Sequence, residues 1–336
     1  MTETLLSLAV GVLPVLAFLA ALVGLESYKL VRLRTVVAMV AAGALIAGLC
    51  FLLNAVLIEW LAVGPSTYSR YAGPLVEELA KGLVIVALIR ANRIGFLVDA
   101  AILGFAIGAG FAVVENVYYQ HVVPDAGLGT WIVRGFGTAL MHGGVASIFA
   151  MMGLALREQA GAIARLFFLP GFVLAVVLHS AFNHMFLSPK LSTLAVLLVL
   201  PPLLYAVFRR SEAAVGEWLG RGFDRDAEMI GLIESGSFSD APVGRYLATL
   251  RDRFEGPIVA DLLCYLRIHT ELALRAKGVL MMRESGFEAP VDEETRAKLH
   301  ELRFLEKSIG RTGMLALRPL VHANHKDLWQ IYMLAA

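Results

Sequence analysis

Ionisable and amide side chains interrupt four strongly apolar stretches of this 336-residue chain. A charged side chain exposed to lipid is costly, so such residues inside an apolar stretch indicate a functional site. The first stretch, "PLVEELAKGL" at 74–83, places two adjacent glutamates and a lysine just after a proline. The other stretches contribute Asp99, Glu115, Asn116, Arg134, His142, His179, Asn183 and His184.

Carboxylates, imidazoles and an amide together support three kinds of chemistry. In hydrolysis, a glutamate takes a proton from water while histidine and asparagine stabilise the oxyanion. In a metal site, glutamate and histidine hold a zinc ion that acidifies its bound water, although the chain has no HExxH motif. In a proton or ion relay, the same side chains carry charge across the membrane. Composition and spacing leave hydrolysis and transport both open.

Helical spacing predicts which of these side chains share a face. Glu77 and Lys81 are four residues apart in the order that favours an ion pair. Neighbouring residues are about 100° apart on a helix, so Glu77 and Glu78 cannot both point squarely at one site. His179 and Asn183 are four residues apart and share a face, whereas His184 points elsewhere.

The stretch "GFAIGAGFAVVEN" at 104–116 combines small residues with a carboxylate. Gly104 and Gly108 form a small-xxx-small surface, which predicts close approach of a neighbouring helix backbone. Phe111 and Glu115 are four residues apart, so the aromatic ring is expected beside the carboxylate.

The composition divides the chain into an apolar and a polar part. The chain is 58% hydrophobic and 17% charged, which indicates a membrane protein. Residues 1–208 contain 11 Lys/Arg and 9 Asp/Glu, and residues 209–336 contain 18 and 19. We therefore expect a membrane domain at 1–208 and a polar domain at 209–336. A net charge of +1 without a basic block argues against a nucleic-acid partner, and two cysteines give no disulfide framework.

A spanning helix needs roughly 20 apolar residues, and this predicts an all-α, polytopic membrane helix bundle. Seven spans are expected, at 4–24, 36–58, 74–90, 96–119, 130–156, 166–187 and 191–208. In the polar part, helical periodicity predicts helices at 259–286 and 292–310, separated from the spans by a loop at 233–244.

Basic residues in the connecting segments predict the orientation, because cytoplasmic loops are enriched in Lys and Arg. They concentrate after the odd-numbered spans, at Lys29, Arg32, Arg34, Arg90, Arg93, Arg157, Arg165, Arg209 and Arg210. This predicts an outside N-terminus and a cytoplasmic C-terminal helical domain. The polar side chains of the third to sixth spans then meet in the outer half of the bilayer. Asp99, near the inner end of its span, is the exception and is assigned a structural role.

Three motifs in order resemble the PrsW family of bacterial intramembrane proteases. They are EExxK at 77–81, "DAAILGFAIGAGFAVVEN" at 99–116 and "LHSAFNH" at 178–184. That family is distantly similar to the CAAX-prenyl protease and bacteriocin-processing superfamily, whose motifs are EExxxR, FxxxH and HxxxN. Here Lys81 replaces the arginine one residue earlier, and Glu115 replaces the first histidine. The resemblance covers roughly residues 70–190.

The resemblance implies an intramembrane endopeptidase in a bacterial cell membrane. Its substrate would be a membrane-anchored protein such as an anti-sigma factor, cut near the extracytoplasmic face. The implied catalytic residues are Glu77, Glu78, Glu115, His179 and Asn183, with Glu77 favoured over Glu78 as the base. The implied supporting residues are Lys81, Phe111, Asn116 and His142.

Two questions stay open at the level of the sequence. A zinc ion and no metal are both compatible with the motifs, and the ligands assigned to a metal are Glu78, His142 and His179. The alternative function is a proton-coupled transporter or an ion channel that uses the same glutamates and histidines. The sequence does not set the oligomeric state.

Overall fold

A computed structural model describes residues 2–160, 166–287, 289–321 and 325–335. Its regular elements are helices, and no β-strand occurs among these residues, which confirms the predicted all-α class. The chain divides into two compact units, 1–26 with 30–212 and 27–29 with 213–336. Arg165, used above for the orientation, lies outside the described residues.

The first unit contains the helices that correspond to the predicted spans. In chain order they are α1 (Thr2–Leu25), α2 (Leu33–Leu61), α3 (Pro65–Arg70), α4 (Ala72–Arg90), α5 (Leu97–Val122), α6 (Leu128–Val133), a π-helical segment (Arg134–Thr138), α7 (Ala139–Ala160), α8 (Leu169–Asn183) and the first part of α9 (Pro189–Glu234). The short helix α3 was not predicted, because six residues are too few to show helical periodicity. The fifth predicted span is divided by the π-helical segment, in which the helix is locally wider.

Five described segments are long and apolar enough to cross a membrane: Thr4–Leu25, Leu33–Leu61, Leu97–Val122, Leu128–Gln159 and Pro189–Glu234. Helix α4 is not among them, and it carries three ionisable residues within five positions. Helix α8 is apolar but only 15 residues long. The protein is a multi-pass membrane protein, and the count of seven spans and the orientation remain predictions.

Helix α5 forms the centre of the first unit, where α1, α2 and α7 pack around it. Its contact with α7 depends on Gly104 and Gly108, as predicted. A Cβ atom at Gly104 would overlap the backbone of Ala146, and one at Gly108 would overlap the backbone of His142. The absence of these side chains lets the two backbones touch, and this fixes the position from which the His142 side chain projects.

Asp99 stabilises the N-terminus of α5. Its carboxylate accepts hydrogen bonds from the backbone N–H groups of Gly95, at 2.8 Å, and Phe96, at 3.1 Å. Two N–H groups that precede the helix are thereby satisfied. The structural role assigned to Asp99 from the sequence agrees with these contacts.

The second unit consists of the end of α9 and the helices that follow it. These are a short 3₁₀ helix (Ser237–Asp240), α10 (Pro242–Thr249), α11 (Gly256–Glu284), α12 (Glu293–Val321) and α13 (His325–Ala335). Helix α12 continues beyond the predicted end at Gly310, where the backbone leaves the helical conformation with a φ of 67°. Glycine tolerates this positive φ, so α12 is two helical pieces joined at a kink.

A buried lysine lies in the core of the second unit. Lys277 donates hydrogen bonds to Asp226 Oδ2, at 2.6 Å, and to Gln330 Oε1, at 2.9 Å. Its ammonium group also lies 4.9 Å from the ring centre of Trp218. These contacts connect α9, α11 and α13.

Candidate active site

Helix α4 presents its two glutamates to different surroundings. Pro74 lies in the first turn of the helix, where a missing N–H group costs nothing. The side chain of Glu78 is 0% exposed, whereas that of Glu77 is 16% exposed. Of the two neighbouring carboxylates, Glu77 is therefore the less buried.

Lys81 pairs with Glu78 and not, as predicted, with Glu77. Its Nζ atom lies 2.6 Å from Glu78 Oε1, and both side chains are fully buried. Helix geometry permits pairs at three and at four residues. The choice is made by other helices, because Nζ also lies 3.1 Å from His142 Nδ1 and 4.3 Å from the ring centre of Phe111.

His179 of α8 lies between the two glutamates. Its Nδ1 is 2.8 Å from Glu78 Oε1, and its Nε2 is 3.9 Å from Glu77 Oε2. Glu78 is ionised opposite Lys81, so Nδ1 of a neutral His179 is the nitrogen that donates its hydrogen. The lone pair on Nε2 then faces Glu77, an arrangement common in histidines that bind metals.

His142 of α7 lies next to His179, with ring centres 4.7 Å apart. The Lys81 ammonium can only donate, so His142 Nδ1 accepts its hydrogen bond. His142 Nε2 lies 3.2 Å from Glu115 Oε2 and donates to it. Phe111 packs against the same imidazole at 5.1 Å between ring centres.

Glu115 also contacts Arg134, a residue to which the sequence assigned no role. Arg134 Nη2 lies 3.3 Å from Glu115 Oε2, and its guanidinium lies 3.7 Å from the ring centre of Tyr119. Arg134 is the first residue of the π-helical segment, a type of helix distortion often found at functional sites. The sequence singled it out as an ionisable residue within the fifth predicted span but did not indicate its partner.

Two predicted site residues make their hydrogen bonds away from the glutamates and histidines described above. Asn116 donates to the Gly11 carbonyl at 2.6 Å and accepts from Arg134 Nε at 2.9 Å. Asn183 donates to the Ser69 carbonyl at 2.8 Å. These asparagines join α5 to α1 and α8 to α3, and the roles assigned to them from the sequence remain predictions.

One group of described side chains has the composition of a metal site. Glu77, His142 and His179 each offer a ligand atom, and these atoms all lie within 4.8 Å of one another. Two imidazoles and one carboxylate form a ligand set of catalytic zinc. The set differs from the predicted one, which contained Glu78 in place of Glu77. Lys81 Nζ and His179 Nδ1 both contact Glu78 Oε1, and the ligand role of Glu78 remains a prediction.

The comparison with known families gives one family for the first unit of the chain. Residues 31–208, more than half of the chain, match the model of the PrsW family intramembrane metalloproteases. No curated protein and no solved structure matches the chain significantly. The matched region contains every residue of the cluster, from α4 to α8. The chain belongs to the PrsW family of intramembrane metalloproteases and is a peptidase.

Proposed function

We propose that this peptidase cuts a membrane-anchored protein near the extracytoplasmic face of a bacterial cell membrane, with an anti-sigma factor as the candidate substrate. The observation that carries the proposal is the set of Glu77, His142 and His179, with ligand atoms within 4.8 Å of one another. Family membership favours hydrolysis over the transporter or channel alternative.

The donor set fits the divalent metal that the family description implies. Glu77, His142 and His179 would hold the ion, as two imidazoles and a carboxylate do in catalytic zinc sites. A zinc ion there would polarise the scissile carbonyl and acidify a bound water. Both nitrogens of His142 already have partners, Lys81 Nζ at 3.1 Å and Glu115 Oε2 at 3.2 Å, so His142 would bind the ion by giving up one of these contacts.

The remaining residues of the cluster act by holding these groups in place. Glu78 and Lys81 form a fully buried pair whose carboxylate receives His179 Nδ1. This fixes the tautomer of His179 and the direction of its Nε2. Glu77, being partly exposed, is placed to meet water, whether it binds the ion or itself takes the proton.

The position of the cut follows from the predicted orientation. With an outside N-terminus, the Glu77 end of α4 and the His179 end of α8 both lie towards the extracytoplasmic face. The same orientation assigns residues 1–208 to a protease domain and residues 209–336 to a cytoplasmic domain. Reporter fusions after residues 125 and 240 test the orientation. A reporter that works only outside the cytoplasm should be active after residue 125 and inactive after residue 240. A reporter that works only in the cytoplasm should show the opposite pattern. The reverse result with either reporter would overturn the assignment.

Cleavage by the purified full-length chain tests the proposed chemistry. The protein and a single-span, tail-anchored anti-sigma factor would be reconstituted in proteoliposomes. Glu77→Gln, Glu78→Gln and His179→Ala should each lower the cleavage rate by about 10³-fold or more, because Glu77 and His179 act at the reaction centre and Glu78 holds His179 in position. Glu59→Gln, in an exposed position on α2, is the matched control and should cut normally. Full activity in all three cluster variants would exclude the proposed site.

Treatment with a chelator distinguishes Glu77 as a metal ligand from Glu77 as the base of a metal-independent reaction. A metal-dependent enzyme loses activity on treatment with a strong chelator and regains it with Zn²⁺. Cleavage that persists in a protein verified to be free of metal would assign Glu77 as the base of a metal-independent hydrolysis.

A further inference from the structure

The carboxylate of Glu77 has a neighbour on the side opposite His179. Asn54 Nδ2, on α2, lies 3.5 Å from Glu77 Oε1, while Glu77 Oε2 faces His179 Nε2 at 3.9 Å. The two oxygens of Glu77 thus face different partners. Asn54 is the one amide residue of the second predicted span and is partly buried.

The orientation of the Asn54 amide is set by Tyr68. The Tyr68 hydroxyl donates to Asn54 Oδ1 at 2.7 Å, and Tyr68 is only 3% exposed. A carboxylate accepts hydrogen bonds and an amide NH₂ group donates them. With Oδ1 held by Tyr68, Nδ2 of Asn54 is directed at Glu77.

Tyr68 is in turn held by the helix that carries His179. Tyr68 belongs to α3, and the last carbonyl groups of that short helix accept hydrogen bonds from α8. Asn183 Nδ2 donates to the Ser69 carbonyl at 2.8 Å, and Ser180 Oγ donates to the Arg70 carbonyl at 2.5 Å. Helix α8 therefore positions His179 directly and Tyr68 through α3.

We propose that Asn54 and Tyr68 are positioning residues that hold the Glu77 carboxylate in the metal-binding set. The proposal deepens the proposed function and rests on its assignment of Glu77. Glu78 and Lys81 orient the imidazole of His179, and Asn54 and Tyr68 orient the carboxylate opposite it. Partners of metal ligands fix ligand orientation, and their loss typically weakens metal binding about 10–100-fold.

Metal affinity measures this effect without any substrate. The full-length chain in detergent would be stripped of metal and titrated with Zn²⁺ against a chromophoric chelator, and with Co²⁺ to record the ligand-field spectrum. Asn54→Leu should weaken Zn²⁺ binding about 10–100-fold, and Tyr68→Phe, the milder change, about 3–10-fold. Tyr205→Phe, at a 60% exposed tyrosine of α9, is the matched control and should bind Zn²⁺ normally.

A double variant distinguishes positioning from a general loss of structure. If Asn54 acts through Glu77, Asn54→Leu should weaken binding no further in a Glu77→Gln background. Additive losses would overturn the proposal, because they would show that Asn54 acts through some other part of the fold.

The outcomes separate this inference from the function on which it rests. If Glu77→Gln weakens Zn²⁺ binding but neither Asn54→Leu nor Tyr68→Phe does, the positioning role is wrong and the metal set stands. If Glu77→Gln leaves Zn²⁺ binding unchanged, the proposed donor set is wrong, and the positioning role of Asn54 and Tyr68 is then wrong as well.

Discussion

Lys81 in the first unit and Lys277 in the second have nearly the same immediate surroundings. Both side chains are 0% exposed, and both have a carboxylate oxygen 2.6 Å from Nζ, Glu78 in one case and Asp226 in the other. Each ammonium also lies close to an aromatic ring, at 4.3 Å from the centre of Phe111 and 4.9 Å from that of Trp218. Burial of a lysine–carboxylate pair is therefore not in itself a sign of catalysis.

The two sites differ in what surrounds the pair. Around Lys277, the amide oxygen of Gln330 completes the hydrogen bonding, and the neighbouring contacts hold three helices together. Around Lys81, the paired carboxylate binds His179, whose second nitrogen faces the partly exposed Glu77. At the structural pair, nearby side chains take up the hydrogen bonds of the lysine. At the functional pair, the carboxylate orients a histidine so that its second nitrogen and Glu77 face a shared point. This distinction can be tested by matched changes in the two units.

Removing each lysine should give the largest effects. Lys81→Met and Lys277→Met each leave a buried carboxylate without its closest cation, with only His179 beside Glu78 and Arg225 3.7 Å from Asp226. Each change should cost up to about 3–5 kcal/mol of stability. Both should lower the unfolding temperature in detergent, but only Lys81→Met should also abolish cleavage by the molecules that remain folded. A loss of cleavage in folded Lys277→Met would contradict the distinction.

Replacing both members of the structural pair provides the control for that experiment. Lys277→Met combined with Asp226→Leu removes the unpaired charge and should recover most of the lost stability.

The second unit should show a pH dependence centred on His269. This imidazole is 6% exposed, and burial lowers its pKa to about 4, with Lys277 also lowering it and Asp226 opposing the shift. An unfolded histidine has a pKa of about 6.5. Its stabilising contribution is therefore complete above pH 6.5 and is lost as the pH falls towards 4, by roughly 3 kcal/mol in total.

The difference in unfolding free energy between wild type and His269→Gln, measured from pH 7.5 to 4.5, isolates this term. The wild type should lose its advantage on acidification. A difference that does not change with pH would show that His269 titrates normally in the fold.

Replacing a glycine beside each of these sites should have a smaller effect than removing the lysine. A Cβ atom at Gly108 would meet the backbone of His142, which cannot move independently of α7. One at Gly222 would lie 2.5 Å from Cε of Lys277, whose ammonium is held by Asp226 and Gln330. Gly108→Ala should cost about 1–3 kcal/mol and reduce cleavage by displacing His142. Gly222→Ala should also cost about 1–3 kcal/mol, because it displaces Lys277, but it should leave cleavage by the folded molecules unchanged.

An exposed ion pair should give the smallest effect. Arg221 and Glu217 are 2.9 Å apart, but their side chains are 76% and 66% exposed. Arg221→Ala should change the unfolding free energy by only about 0.3–0.5 kcal/mol, because solvent screens the pair. A loss as large as that in Lys277→Met would mean that burial is not what separates these pairs.

The sequence predicted most of the helices and the central part of the site. Apolar length predicted the long helices of the first unit, and the motifs singled out Glu77, Glu78 and His179, which lie together in the structure. The partner of Lys81 was predicted wrongly, because spacing on one helix permits two pairs and the choice depends on Phe111 and His142 from two other helices. Asn54 and Tyr68 were missed for a related reason. Their contacts join α2, α3 and α4, and no local pattern encodes such contacts.

The length of α8 has a consequence for the lipid around the protein. At 15 residues, it is roughly 22 Å long, shorter than the roughly 30 Å hydrocarbon core of a bilayer. As part of the predicted span at 166–187, a helix this short would be accommodated by adjustments that include local thinning of the bilayer. Thinning beside α8 would bring the headgroup layer, and with it water, closer to His179. Cleavage by this enzyme should therefore slow in bilayers made from longer acyl chains, where water has farther to travel.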